Sequence, residues 1–257
     1  MRRLLRDWDL RPIWVGIAVM LLVALAVETV VLYRIIDEQE SIGSDLHFFQ
    51  SVARRWLDTG VYYTDSQLAG PYVVATNVDN IYPPHALYLF VPFLFVPDIL
   101  WWVIPIALLG YLVWWCRPAT WALPILALLL LYPKTPAVLL YGNSDIWATA
   151  FAAAGVRWGW PAVLVSFKPS VGFLALVGIG NRAWWIGAVV LALASLPLIA
   201  LWLDYPRLIL NSDANIGRAL SDLPLFALPI VAWLTSTRRG DIPMRTWAMK
   251  LIRREDR

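Results

Sequence analysis

Asp45, Lys168 and the run Gly142-Asn143-Ser144-Asp145 are polar groups set in a chain that is 60% hydrophobic. Their types name the chemistry open to them. A carboxylate turned inward must be paired or functional, and a functional one can take a proton from a hydroxyl. A lysine inside an apolar run costs ~2.5–3.5 kcal/mol to insert and faces a cavity or an anion such as a phosphate. Lys168 is such a lysine, well inside the run bounded by Pro161 and Asn181. Asn143 and Asp145 either line the same cavity or begin a helix with Asn143 as its cap. Tyr82 and His85 flank the Pro83-Pro84 turn and read either as cavity residues or as interface anchors. Glu28, near one end of the first apolar run, has Arg34 as a nearby partner and reads as structural.

Other chemistries lack their residues. The chain has two histidines, His47 and His85, and one cysteine, Cys116, so no metal-spaced His/Cys set and no internal disulfide is available. No phosphate-binding glycine loop and no convincing Ser-His-Asp set is present. The sequence therefore calls for no cofactor and no metal. The net charge of +3 is not a nucleic-acid signal, because many of the basic residues gather at the two termini.

The elements that position these residues are membrane segments. The chain reads as an all-α polytopic membrane protein of about eight segments, at 13–35, 84–97, 99–116, 119–132, 137–156, 160–180, 183–203 and 223–236. Segments 84–97 and 119–132 are short enough to cross with little tilt or to re-enter. The sixteen tryptophans include pairs at 101–102, 114–115 and 184–185 that suit interface belts. The run 13–35 is too long for a signal-peptide core. Basic termini put both ends in the cytoplasm and loops 37–85 and 204–222 on the outer face, together with Arg117 and Arg157; Lys134 and Arg182 fall inside. Residues 1–236 form the transmembrane module. Residues 237–257 read as a basic amphipathic helix on the cytoplasmic leaflet, with Met244, Trp247, Ala248 and Leu251 at helical spacing.

Loop 37–85 holds seven acidic residues and the start of a helix. Ser44 suits a cap for a helix over 45–58, with Phe49, Val52, Ala53 and Trp56 on one apolar stripe. Gln50, Ser51, Arg54, Arg55 and Asp58 fall largely on the other side. Asp45 lies on the apolar side. Its simpler reading is a first-turn acid favoured by the helix dipole; its inward direction argues for more.

The order Gly43-x-Asp45-Leu46-x-Phe48-Phe49, then Ala53, Leu57, Gly60 and Tyr62-Tyr63, then Tyr82-Pro83-Pro84, resembles the membrane glycosyltransferases of family 87. Gly142-Asn143 and Lys168-Pro169 look like that family's polar membrane motifs, with Gly142-Asn143 where the family usually has Gly-Gln. The resemblance spans about Pro12 to Arg182. It implies a GT-C-like helix bundle that transfers a mannose-like hexose from a polyprenyl-phosphate donor to a lipid or glycan acceptor. It places the protein in the plasma membrane of a prokaryote, active face outward, with a partner subunit possible. Asp45 would be the general base and Lys168 a contact to the lipid phosphate. Tyr82, His85, His47, Asn143, Asp145, Arg207 and Arg218 complete the expected substrate-binding set, the two arginines as further phosphate clamps. The alternative is a non-catalytic subunit, or flippase-like carrier, that binds a polyprenyl-phosphate sugar.

Overall fold

A computed structural model describes residues 10–74, 78–213 and 223–237. Among them the protein is all-helical, with two isolated β-bridges and no strand. The tail 238–257 and Arg218 lie outside the described residues.

Helix α1 spans Arg11–Glu38, and among the described residues it alone is long and apolar enough to cross a membrane unbroken. Its exposed residues include Val19, Met20, Val23, Val27 and Val30, a surface suited to lipid. Then come α2 (Ser44–Thr59) and α3 (Asp65–Ala69). Segment 84–97 becomes a 3-10 turn, α4 (Leu87–Phe90) and a second 3-10 turn. It does not pass through the bundle. Tyr62 Oη donates to Pro83 O at its start, and Gln50 Nε2 donates to Phe93 O and Asp98 Oδ1 at its end. Both ends are thus tied to α2 or the turn after it. Pro84 and Pro92 remove helix donors and keep each piece short.

Helix α5 (Leu100–Cys116) follows as expected. Segment 119–132 forms a 3-10 turn and α6 (Leu123–Leu131), then bends by 60° into α7 (Lys134–Leu140). The expected span 137–156 is therefore broken. Its first part completes the α6–α7 traverse, and a turn at 141–144 starts α8 (Asp145–Trp158). Gly142 makes this turn at φ +73, where a side chain is strained.

Segment 160–180 is not a span either. It forms two 3-10 segments, Trp160–Phe167 and Pro169–Leu176, packed on each other and on α8. Its two ends meet: a Cβ on Gly178 would lie 3.0 Å from Gly159 Cα. The chain enters and returns at one point, with Lys168 at the tip. Pro169 causes the break, because the residue before a proline is driven from helical to extended geometry; Lys168 has φ −116, ψ 99.

Helix α9 (Arg182–Ala194) then runs to a 45° bend and continues as α10 (Ile199–Asn211). Loop 204–222 is thus helical as far as Asn211. There Asn211 Nδ2 donates to Gln67 O and Leu68 O. The last described helix, α11, is Leu223–Leu234.

Contacts fix which helix ends lie together. Ser236 Oγ donates to Cys116 O, and Ala119 N donates to Thr235 O at 2.9 Å. The Arg157 guanidinium lies 4.3 Å over the Trp115 ring. A Cβ on Gly159 would meet Asn181 Cγ at 2.9 Å. So the ends of α5, α8 and α11 and the starts of α6 and α9 share one end of the bundle. The start of α1, beside Thr120–Ala122, joins them. The opposite end holds the end of α1, the start of α5, the end of α7 and the start of α8. Arg117, Arg157 and Arg182 thus fall at one end, not at opposite faces as the charge count suggested.

Several tryptophans are structural rather than interfacial. Trp101 is fully buried, its indole N–H donating to Gly142 O at 2.8 Å, and Trp102 donates to Leu139 O at 2.7 Å. A buried indole needs such a partner. Trp114, Trp160 and Trp185 remain exposed. Glu28 makes no pair with Arg34; its Oε2 is buried without a hydrogen-bond partner.

Candidate functional site

Helix α2 starts one residue earlier than its spacing suggests, and Gly43 in the left-handed region, not the Ser44 side chain, occupies the cap. Leu46, Phe49, Val52 and Ala53 are buried, Trp56 packs against the same core, and Arg54 is exposed. Phe49 is the centre of an aromatic cluster. It stacks on Phe90 at 4.6 Å and meets Tyr82 edge-on at 5.2 Å and Trp101 at 5.6 Å. Such pairs contribute ~0.5–1.5 kcal/mol each beyond buried area.

The same helix is docked by its backbone. Gly43 N donates to Leu140 O and Asp45 N donates to Tyr141 O, both at 2.9 Å. This brings the first turn of α2 against the 141–144 turn. A Cβ on Gly142 would lie 3.1 Å from the Trp102 ring and 3.2 Å from Leu46 Cβ. Glycine at 142 is what permits the approach.

Six polar side chains meet there. Asn143 Nδ2 donates to Asp45 Oδ2 at 2.6 Å. Lys168 Nζ donates to Asn143 Oδ1 at 2.8 Å and pairs with Asp145 Oδ1 at 2.6 Å. Ser144 Oγ lies 3.5 Å from the ammonium and 2.9 Å from Tyr82 Oη. Asn143 Oδ1 also accepts from Asp145 N at 3.0 Å, an Asx turn that leads into α8; the cap position itself is Ser144, not Asn143. The Lys168 side chain is 12% exposed and that of Asp145 2%. Asp45 is half-buried.

Tyr82 is held at the rim by its neighbours. Tyr63 Oη donates to Tyr82 O at 2.9 Å, as Tyr62 does to Pro83 O, so the Tyr-Tyr pair pins the Tyr-Pro-Pro turn. Burial raises the pKa of Tyr62, Tyr63 and Tyr82, so all three stay phenols; for Tyr82, nearby Lys168 partly opposes the shift.

Beside the cluster is a cavity of about 520 Å³, lined chiefly by apolar groups of α9 and α10 and by Pro83, Pro169 and His85. His85 Nε2 lies 3.0 Å from Ser166 Oγ, and its ring stacks on Trp202 at 5.4 Å. Ser166 Oγ donates to Val163 O at 2.7 Å, so His85 Nε2 carries the proton toward Ser166.

The structure thus brings Asp45, Asn143, Asp145, Lys168 and Tyr82 together and puts His85 on the adjoining cavity. It sets two expected residues apart. His47 is on the outer side of α2, 3.8 Å from Asp98, both well exposed. Arg207 is exposed on α10 and makes no side-chain hydrogen bond or ion pair among the described residues. Ser144, Ser166 and Trp202 were not singled out from the sequence. Ser144 lies inside the polar run and was within reach of that reading. Trp202 had no local signal.

Comparison with protein-family models, with curated proteins and with solved structures gives no match.

Proposed function

We propose that this protein is a membrane glycosyltransferase that moves a hexose from a polyprenyl-phosphate donor to a lipid or glycan acceptor. The observation that carries the reading is Asp45. Its half-buried carboxylate is held at 2.6 Å by an amide, and Pro83 and Pro169, the chain neighbours of Tyr82 and Lys168 in the same cluster, line an apolar cavity of about 520 Å³. The carboxylate suits a general base, and the cavity suits an isoprenoid chain. Asp45 takes the proton from an acceptor hydroxyl as the hydroxyl oxygen attacks the anomeric carbon. The bond from that carbon to the phosphate oxygen breaks, and the phosphate departs with the electron pair, inverting the centre.

In this reading α1, α5, α6 with α7, α8, α9 with α10, and α11 cross the membrane, while 84–97 and 160–180 re-enter. Both ends of the described chain then share the cytoplasmic face, and α2 and α3 lie outside. Basic residues near both termini support that orientation.

The rival reading, a carrier or lipid-binding subunit, draws on the same cavity and needs Lys168 for the phosphate but not Asp45. The Lys168 ammonium already faces Asp145 and Asn143, with two carboxylates in the cluster. Asp45, held by Asn143, has a task in the transferase and none in the carrier, which favours the transferase. The test is to supply purified protein with a labelled polyprenyl-phosphate hexose and follow label into a membrane-lipid acceptor pool. Transfer supports the enzyme; binding of the donor without transfer supports the carrier.

A further inference from the structure

Asn143 occupies the middle of the cluster, and its two amide atoms have different tasks. Oδ1 faces two donors, the Lys168 ammonium and the Asp145 backbone N–H. Nδ2 faces the Asp45 carboxylate. The opposite flip would put an NH₂ group against an ammonium and an oxygen against a carboxylate, so the partners determine the orientation. Lys168 is held in turn by Asp145 at 2.6 Å. The links run from Asp145 to Lys168, from Lys168 to Asn143, and from Asn143 to Asp45.

We propose that Asn143 is the positioning residue of the site, and that Lys168 and Asp145 act by fixing its amide rather than by touching substrate. This rests on the glycosyl-transfer reading for its catalytic consequence. A carboxylate takes its direction from the groups that hold it, and for Asp45 one of these is the Asn143 amide at 2.6 Å. An amide pinned on its oxygen side leaves its N–H₂ aimed in one direction, and the carboxylate is oriented with it. The arrangement also explains a lysine so deep in an apolar hairpin. Its charge orders a neighbour instead of receiving a ligand.

Two measurements on the full-length protein test this. The first needs no activity. The chain has six asparagines, so selective ¹⁵N-asparagine labelling gives six side-chain amide pairs, and the Asn143 pair is the one lost in Asn143→Ser. It is expected to shift in both Lys168→Met and Asp45→Ala, while the Asn80 and Asn211 pairs stay in place. An Asn143 pair unmoved by Lys168→Met overturns the linkage.

The second is kinetic. Serine keeps an acceptor for the Asp145 backbone N–H but does not reach Asp45, so Asn143→Ser should lower kcat by ~10²-fold with the donor KM unchanged. Asp145→Asn should do the same. If Asp145→Asn instead lowers the donor KM, the freed ammonium is a phosphate clamp and the proposal fails. Full kcat in Asn143→Ser also overturns it. Absence of transfer in the unmutated protein overturns the glycosyl-transfer reading and with it the catalytic role of Asn143; the amide measurement still judges the linkage.

Discussion

Lys168 and Asp145 meet at 2.6 Å because α8 and the 3-10 segment that follows it run side by side in opposite directions. Asp145 opens α8, and Lys168 closes the returning segment. Each is almost enclosed. Removing one partner of such a pair leaves a buried charge, which costs ~3–5 kcal/mol, while replacing both with apolar groups of similar volume is often neutral. Lys168→Met should therefore lower the unfolding midpoint in detergent clearly, and Lys168→Met with Asp145→Leu should recover much of the loss. A single variant as stable as the parent would mean the pair is open to water.

Much of the site was legible in the sequence, and the reason is chemical. Asp45, Asn143, Asp145 and Lys168 stand out because ionisable and amide groups are costly among apolar residues. The stripe of α2 was legible because helix periodicity fixes which side chains share a face. The path of the chain was less so. Apolar runs of ~14–20 residues are the length of a span, and periodicity does not distinguish a crossing from a hairpin. Pro169 and Gly178 carried the information for 160–180, through a forced extended residue at Lys168 and a close backbone approach. Arg207 and His47 were expected in the site from charge and order along the chain. The outward face of α10 and the outer side of α2 turn them away.

Gly142→Ala should destabilise the junction between α2 and α8. A left-handed non-glycine residue costs about 1–2 kcal/mol, and the new methyl would also press on Trp102 and Leu46. A fall in the thermal midpoint is the expected result, with a larger fall for Gly142→Val. An unchanged midpoint would show that the turn relaxes freely.

Topology gives a third test. Single cysteines at Arg157, Arg182 and Thr237 in a Cys116→Ala background should all label from one side of the membrane, and one at Ser66 from the other. The re-entrant path of 160–178 requires Arg157 and Arg182 to agree. Labelling of those two from opposite sides would restore 160–180 as a span.

The most direct measurement is transfer of labelled hexose from a polyprenyl-phosphate donor by the Asp45→Asn variant beside the parent protein. The substitution keeps size and hydrogen-bonding groups and removes only the basic carboxylate. A general base contributes ~10²–10⁴-fold, so transfer should fall at least 10²-fold while donor binding stays close to the parent's. Near-full transfer by Asp45→Asn would reduce Asp45 to a first-turn acid and contradict the account.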